Sequence, residues 1–552
     1  MKSKLLKNTL FLLLLCTLAC NQKLKTVISP WVQYDESAEL AKNATHESRK
    51  MRFKLIQSEV LDKNDIWKNV SAQIKNFSEE DYQRLKPMIF EQDIPASQSH
   101  IRSGALTYEA LTHWYLYRIV KFENDKDKYL NAIIAINPEA VSQARKRDKN
   151  KTASDHPLYG MPVLLKDNID AEGMATTAGA AALMNNRTSD AFIVKRIKEK
   201  GAIILGKTNL SEWANFLSAN CPNGYSAVGG QTLNPYGRKI FDTGGSSSGS
   251  AVVMAANYAA AAVGTETSGS ILSPSGKNSV AGLKPTVGLL SRGGIVPISA
   301  TYDTPGPITR FLTDNAILLS AMTGKDNDDP ATRDNPGNNK YWEELKTGTL
   351  KGLRFGVIKS LLKDSLYKQS IEKIVSNGGV AIEFETEQTS FENFTRVLSA
   401  DMKTDLPEYL KKYAAAEITF RSVADISEFN SKDTLIRIPY GQTLFTGIVK
   451  EDITMDDLNK LKTKLHDTGV NYFEKPMSEL KLDAILSISN RSAGFAAVAA
   501  YPCLTVPMGF TGKGEPSTLT FIARPFEEDK LLKMGYAFEQ GTKLRNIPEG
   551  YK

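Results

Sequence analysis

Three short segments of the chain combine the residue types that serine hydrolases use. Two are rich in glycine and serine, at residues 244–250 and 264–270, and the small apolar run 251–263 separates them. The third segment, 162–168, carries Lys166 after an apolar run. This layout predicts that hydroxyls and free backbone N–H groups lie at the two ends of one buried helix or strand. Lysine and serine without histidine in these segments indicate hydrolysis by serine with a lysine base.

The lysine can serve as a base only in its neutral form. A serine hydroxyl is a poor nucleophile at neutral pH and needs a base within hydrogen-bond reach. Burial in an apolar pocket lowers the pKa of a lysine, because it disfavours the charged form. Lys166 follows the apolar residues 163–165, where a buried strand would bring it to a sheet edge. A second serine could relay the proton, and consecutive N–H groups in a glycine-containing turn could stabilise an oxyanion.

The same segments resemble the motifs of the amidase signature family. Matching motifs occur in order at residues 160–168, 244–250, 264–274 and 281–288, and the similarity covers about 107–310 and resumes near 483, including 501–507. By matching position, the resemblance implies that Lys166 is the base and Ser270 the nucleophile. It also implies that Ser246 is the bridging serine, preceded in the family by a cis peptide bond.

The resemblance further implies the oxyanion hole, the fold and the reaction. The expected oxyanion donors are the backbone N–H groups of Thr267, Ser268, Gly269 and Ser270. The expected fold class is α/β, with a mixed β-sheet core covered by helices. The expected reaction is hydrolysis of a carboxamide C–N bond through a Ser-Ser-Lys triad and an acyl-enzyme, without a cofactor or metal.

Two positions differ from the commonest family pattern. Glu266 stands where an aspartate is usual, and Leu272 where an arginine is usual, so a charged pair is rebuilt. The Glu-Thr-x-Gly-Ser-Ile form and the segment 229–235 resemble the peptide amidase branch. Peptide C-terminal amides are therefore the implied substrates. Ser268 replaces the aspartate frequent in that branch, but the backbone donor at this position is kept.

Three alternatives remain open for the function. The first is the catalytic subunit of a tRNA-dependent amidotransferase, a cytoplasmic enzyme that a signal peptide disfavours. A non-catalytic, surface-anchored binding protein on this fold is disfavoured by the intact lysine and serines, and an esterase could use the same site.

Residues 201–208 fit the phosphate-loop pattern. Their four middle residues are apolar, so they predict a strand.

The N-terminus has the features of an export signal. Three lysines precede the apolar run 10–19, which is shorter than a membrane-spanning helix and ends at Ala19-Cys20. This junction resembles a bacterial lipobox, in which Cys20 becomes lipidated. We expect an exported, membrane-anchored bacterial lipoprotein, on the periplasmic or outer-membrane face; plain secretion after cleavage near Ala19 is the alternative. Outside the signal region the chain has two further cysteines, Cys221 and Cys503, and whether they form a disulfide is left open.

The chain divides into three parts at the sequence level. Residues 1–20 are the predicted lipoprotein signal peptide, 21–103 a polar spacer and helical N-terminal extension, and 104–552 the amidase domain. Within the last part, about 350–478 is a variable region expected to shape the substrate pocket. Thr107 is the predicted N-cap of an amphipathic helix.

The charge pattern disfavours a nucleic-acid partner. The net charge of +7 is small for 552 residues, and the densest basic run, 145–149, lacks interleaved aromatic residues. The expected partners are a small-molecule or peptide amide substrate and, through Cys20, a membrane. The sequence indicates no oligomeric state.

Overall fold

The structure is a computed structural model that describes residues 26–151, 154–333, 339–387 and 389–552. Cys20 and the predicted signal peptide lie outside these residues. In the described ranges, no helix is both long and apolar enough to cross a membrane.

The centre of the molecule is a large mixed β-sheet. The strands are β1 Ile133–Ile136, β2 Pro162–Lys166, β3 Ile203–Thr208, β4 Tyr225–Ser226, β5 Gly230–Gln231, β6 Ala261–Glu266, β7 Ala281–Lys284, β8 Thr304–Thr309, β9 Arg354–Ile358, β10 Val380–Phe384, β11 Ala484–Ile488, β12 Cys503–Phe510 and β13 Pro516–Ile522. In the described residues, eleven of them form one sheet, in the spatial order β1-β3-β2-β6-β8-β7-β12-β13-β11-β9-β10. Strands β4 and β5 form a separate antiparallel pair.

Helices cover this sheet, which confirms the predicted fold class. They are α1 Ser37–Asn43, α2 Lys63–Ile74, α3 Glu79–Ile89, α4 Ile94–Arg102, α5 Tyr108–Glu123, α6 Ala140–Lys149, α7 Phe192–Glu199, α8 Ser248–Ala255, α9 Leu272–Lys277, α10 Leu312–Met322, α11 Ser365–Ser376, α12 Phe394–Lys412, α13 Val423–Ser431, α14 Thr434–Arg437, α15 Thr443–Lys450, α16 Met455–Glu479, α17 Ala493–Val498 and α18 Glu528–Thr542. Helices α8, α9, α10, α11 and α18 contact the central strands directly.

Strands β2, β3 and β6 bring the site to one edge of the sheet. Strand β2 pairs in parallel with both β3 and β6, and every residue of the three strands is buried. Such strands are continuous apolar runs because both faces are covered. Their carboxyl ends meet at the same edge, where open α/β sheets bind their ligands. Lys166 is the last residue of β2.

The small apolar run between the two serine-rich segments is not a single element. It contains the end of helix α8 and then strand β6, with a turn at Asn257, whose φ is +59°. The prediction of one buried helix or strand is therefore wrong. Short runs that are apolar on all sides fit both structures equally well, so periodicity could not locate the turn.

Two other predictions are confirmed by the backbone. Gly206 and Lys207 lie inside β3, so the phosphate-loop pattern is a buried strand. Helix α5 begins after Thr107, whose hydroxyl accepts a hydrogen bond from the N–H of Ala110 at 3.0 Å.

The N-terminal extension is only partly helical. Apart from a short 3-10 turn at Arg49–Met51, the chain between α1 and α2 is non-helical, although the sequence predicts a helical extension after the polar spacer. Buried residues of this extension, among them Trp31 and Ile66, belong to the same apolar core as the sheet. The extension therefore packs as part of the main body.

The region expected to shape the substrate pocket has two parts. Strands β9 and β10 extend the central sheet at its far edge, which the sequence did not predict. Helices α12, α13, α15 and α16 instead form a second apolar core. That core includes Trp213, Leu217 and Tyr302, which lie on loops near the site. We call α12–α16 the helical cap.

Candidate active site

The amine of Lys166 is buried and held by three contacts. Its Nζ lies 2.8 Å from Ser246 Oγ, 2.8 Å from Thr265 Oγ1 and 3.1 Å from the Thr265 carbonyl oxygen. The Lys166 side chain has no solvent exposure. The structure therefore brings together the predicted base and the predicted bridging serine, from two segments 80 residues apart.

Burial lowers the pKa of Lys166 to about 7, although the nearby carboxylates of Asp303 and Glu266 oppose the shift. A lysine in water has a pKa near 10.4 and is charged at neutral pH. Here a large fraction of the molecules carries a neutral amine at pH 7. Lys166 can therefore accept a proton under ordinary conditions.

The contacts of Thr265 fix the direction of the lone pair of Lys166. A neutral primary amine has two N–H donors and one lone pair. Thr265 offers two acceptors, its hydroxyl and its carbonyl oxygen, and both lie within hydrogen-bond distance of Nζ. With both N–H groups donated to Thr265, the lone pair is directed to the hydroxyl of Ser246. Asn168 supports this arrangement, because its Nδ2 donates to Thr265 Oγ1 at 3.0 Å.

Ser246 lies in a turn that neighbouring backbone groups hold in place. The peptide bond between Gly245 and Ser246 is cis, as in the family that the sequence resembles. The carbonyl oxygen of Ser246 accepts from the N–H of Ser211 at 3.0 Å, and the next residue, Ser247, donates its N–H to the carbonyl oxygen of Ser270 at 3.1 Å. The two serine-rich turns are thus joined directly.

Ser270 is slightly exposed, unlike the bridging serine Ser246. It is 7% exposed, whereas Ser246 is fully buried. Within the described residues, its hydroxyl makes no hydrogen bond to the protein. A relay from Ser270 to Ser246 therefore needs the two hydroxyls to come within hydrogen-bond distance when substrate binds, and such catalytic contacts often tighten only then.

The carboxylate of Glu266 shapes the turn 267–270, which we call the oxyanion turn. It accepts the N–H groups of Gly269, Ile271 and Leu272 at 2.7 to 2.9 Å. Gly269 therefore leaves the predicted set of oxyanion donors, because its N–H is already bonded. In the described part of the chain, no acceptor is bonded to the N–H groups of the other three predicted donors, Thr267, Ser268 and Ser270.

Sequence reasoning missed several residues that build this site. Asp303 accepts the Thr267 hydroxyl and the N–H groups of Ile298 and Ser299, at 2.8 and 3.0 Å for the two N–H groups. It thereby ties the oxyanion turn to the loop before β8. Thr265 stands inside a quoted motif and could have been found, whereas Asp303 lies in a segment without any local signal.

The remaining candidates are structural. Cys221 and Cys503 are both buried and free, so they do not form a disulfide. Burial, with a contribution from Glu212, raises the pKa of Cys221 to about 12 and leaves it an unreactive thiol. Lys207 forms a fully buried ion pair with Asp167 at 3.2 Å, within a strand rather than a phosphate-binding loop.

Comparison with known proteins identifies the family. The family described as Amidase matches residues 111–487. A probable amidase of Arabidopsis thaliana is 38% identical over 466 residues, which cover 80% of this chain and 88% of the relative. A glutamyl-tRNA(Gln) amidotransferase subunit of Thermoanaerobacter pseudethanolicus is 31% identical over 481 residues, 80% of this chain and 94% of the relative. The chain belongs to the amidase family.

Solved structures of amidases are also similar to this chain. An amidase family protein from Bacillus anthracis has a TM-score of 0.86 and 36% identity, and the match covers 90% of this chain and 100% of that one. The native peptide amidase from Stenotrophomonas maltophilia has a TM-score of 0.79 and 38% identity, with 83% and 99% covered. The protein is an amidase, a hydrolase of amide bonds.

Proposed function

We propose that this amidase cleaves its substrate with Ser270 as nucleophile, Ser246 as proton relay and Lys166 as base. The observation that carries this assignment is the 2.8 Å contact between Lys166 Nζ and Ser246 Oγ, together with a lysine pKa of about 7. The turn bearing Ser270 is hydrogen-bonded to the turn bearing Ser246.

The first half of the reaction forms an acyl-enzyme. Ser270 Oγ attacks the carbonyl carbon of the amide, its proton passes to Ser246 Oγ, and the proton of Ser246 passes to Lys166. The oxyanion that develops accepts N–H groups of the oxyanion turn. The C–N bond then breaks, and the departing ammonia or amine takes a proton back through Ser246 from Lys166.

The second half returns the enzyme to its starting state. Water attacks the ester of Ser270 and transfers a proton by the same relay to Lys166. Collapse of the tetrahedral intermediate breaks the ester C–O bond, Ser270 regains its proton and the carboxylic acid leaves. Because the same charges develop in both halves, one set of donors serves both.

Peptide C-terminal amides are the substrates that the site is proposed to take. The support is the likeness to peptide amidase structures at 38% identity, together with the Glu-Thr-x-Gly-Ser-Ile sequence around Ser270. The amidotransferase relatives are more distant at 31% identity. An ester would be attacked by the same serine, so amides and esters belong in one substrate panel.

The direct test is ammonia release by the purified chain across aliphatic, aromatic and peptide C-terminal amides, with the matching methyl esters. We expect release from at least one peptide amide, and none from Ser270→Ala. Ser273→Ala, a nearby serine outside the proposed relay, is the matched control and should keep the native rate. Equal release by Ser270→Ala and the native chain would refute the assignment. Binding of a peptide amide without turnover by the native chain would favour the binding-protein alternative.

The N-terminal residues are proposed to export the chain and to anchor it through lipid on Cys20. The support is the sequence alone: a basic start, a ten-residue apolar run and a small residue before the cysteine. The location would place hydrolysis outside the cytoplasm, which disfavours a role in tRNA-dependent amidation.

A further inference from the structure

A cavity of about 400 Å³ lies at the edge of the sheet opposite to the candidate active site. Strand β8 runs from the candidate active site to this cavity. Its first residue, Thr304, pairs with Glu266 beside the oxyanion turn, and its other end pairs near the start of β6. Arg310 follows β8 directly and lines the cavity. A six-residue strand spans about 20 Å, so the cavity is separate from the catalytic centre.

Two arginines in the cavity wall have unused hydrogen-bond donors. Arg310 is 1% exposed and donates from Nη1 to the carbonyl oxygen of Ala259 at 2.7 Å. Arg545 forms an ion pair with Glu91. Within the described chain, Nε and Nη2 of both arginines have no acceptor at ordinary hydrogen-bond geometry, although the Tyr115 hydroxyl lies close to the Arg310 guanidinium. Buried charged donors without a partner are costly, so an anion that reached them would gain strong hydrogen bonds.

The carboxyl groups of the cavity do not cancel these two charges. Arg545 and Arg310 overcome the effect of burial and hold the pKa of Glu91 below its usual range, so Glu91 supplies one full negative charge. Burial raises the pKa of Glu539 to about 7, so this group is partly protonated at neutral pH. Asp93 and Lys543 line the same cavity with opposite charges. The positive charge of the two arginines therefore exceeds the negative charge of the carboxylates around them.

The rest of the wall is mixed, with the polar residues Gln92, Gln540 and Thr542 and several apolar ones. Phe311, Val506, Pro507 and Leu544 line it beside the arginines. The volume lies within the range of small-molecule sites, which combine an apolar lining with a few polar groups. The planar fork of a guanidinium matches a carboxylate in a bidentate pair better than any other side chain does.

We propose that this cavity binds a small organic carboxylate with an apolar tail. The carboxylate would lie between Arg310 and Arg545, and the tail would pack against Phe311 and Leu544. The unused donors lie just behind the cavity wall in this structure, so binding includes a rotation of the arginine side chains. The proposal is independent of the hydrolytic mechanism.

The test is calorimetric titration of the full chain with octanoate, with octanol and with inorganic phosphate. We expect octanoate to bind with a stoichiometry of one, and octanol and phosphate to bind at least about tenfold more weakly, because each lacks one half of the ligand. Arg545→Gln removes a donor group, and Ala96→Phe fills the cavity from the start of α4. Each should weaken octanoate binding by at least about tenfold.

Arg524→Gln is the matched control, because Arg524 pairs with Glu474 outside the cavity. This variant should bind octanoate like the native chain. Octanoate also resembles a carboxylic acid product, and binding at the active site would survive both Arg545→Gln and Ala96→Phe. That outcome would overturn the proposal. So would binding of phosphate alone, or no heat of binding with octanoate.

Discussion

Lys166 shows how the surroundings of one residue decide its chemistry. It ends a strand that is buried on both faces, and burial makes its neutral form accessible near pH 7 by lowering its pKa. Ion pairing would have the opposite effect, since an adjacent carboxylate favours the charged amine. Its three polar neighbours are instead the uncharged oxygens of Ser246 and Thr265.

Thr265→Val should slow the reaction without weakening substrate binding. The variant keeps the backbone acceptor but removes Oγ1, so the lone pair of Lys166 is no longer held toward Ser246. We expect kcat to fall by about 10- to 100-fold with little change in KM, a part of what a positioned base contributes. The charged lysine also loses an acceptor, so the acid limb of the pH–rate profile should move to lower pH.

Thr265→Ser is the matched control, because it keeps the hydroxyl. This variant should recover most of the native kcat and the native acid limb. If Thr265→Val retained the native kcat and pH profile, Thr265 would have no positioning role.

At the scale of the elements, the oxyanion turn and helix α9 are held by one side chain. Glu266 ends β6, and its carboxylate bonds the backbone of the turn and the first residue of α9. Burial raises the pKa of Glu266, and the charge of Lys284 together with these N–H groups opposes that shift. The sequence suggested that a charged pair is rebuilt here; in the described residues Glu266 instead bonds three backbone N–H groups and makes no salt bridge.

Glu266→Gln should destabilise the protein and slow catalysis together. It removes the charge and one of the two oxygens that accept three buried N–H groups, and a buried donor left without an acceptor costs about 1–3 kcal/mol. Chemical denaturation measures the loss, and kcat reports the disturbed turn. Glu515→Gln is the control, since its 2.6 Å pair with Lys277 is partly exposed and is worth at most about 1 kcal/mol. Equal effects of the two variants would contradict this role of Glu266.

Local sequence predicted the site better than the elements around it. Lys166, Ser246 and Ser270 lie in short motifs whose turns are specified by adjacent glycines and serines. The use of the Gly269 N–H by Glu266 depends on how a side chain folds back, which no motif expresses. The turn at Asn257 was missed because an apolar helix and an apolar strand look alike in sequence.

At the scale of the whole molecule, distant segments were the hardest to predict. The helical cap packs on Trp213 and Tyr302 through contacts between residues far apart in sequence. The cavity at Arg310 and Arg545 joins segments that are widely separated along the chain. Such pairings depend on how distant segments come together in the fold, which no local motif expresses.

The anchoring proposal also belongs to the whole molecule. In a bacterial host, the native chain should fractionate with membranes and incorporate labelled palmitate. Cys20→Ala should do neither, because the acceptor thiol is gone. Cys221→Ala, which removes a buried free thiol, is the matched control and should behave like the native chain. Recovery of the native chain in the soluble fraction without label would contradict the anchor.

The pH dependence of kcat/KM tests the central claim most directly. The proposed mechanism needs a neutral Lys166, and burial lowers its pKa to about 7. As the pH falls through that value the lysine gains a proton, so kcat/KM should fall about tenfold for each further pH unit. Lys166→Ala, measured alongside, should have no activity above background. A native profile that stays flat down to about pH 5, or near-normal rates in Lys166→Ala, would contradict a lysine base.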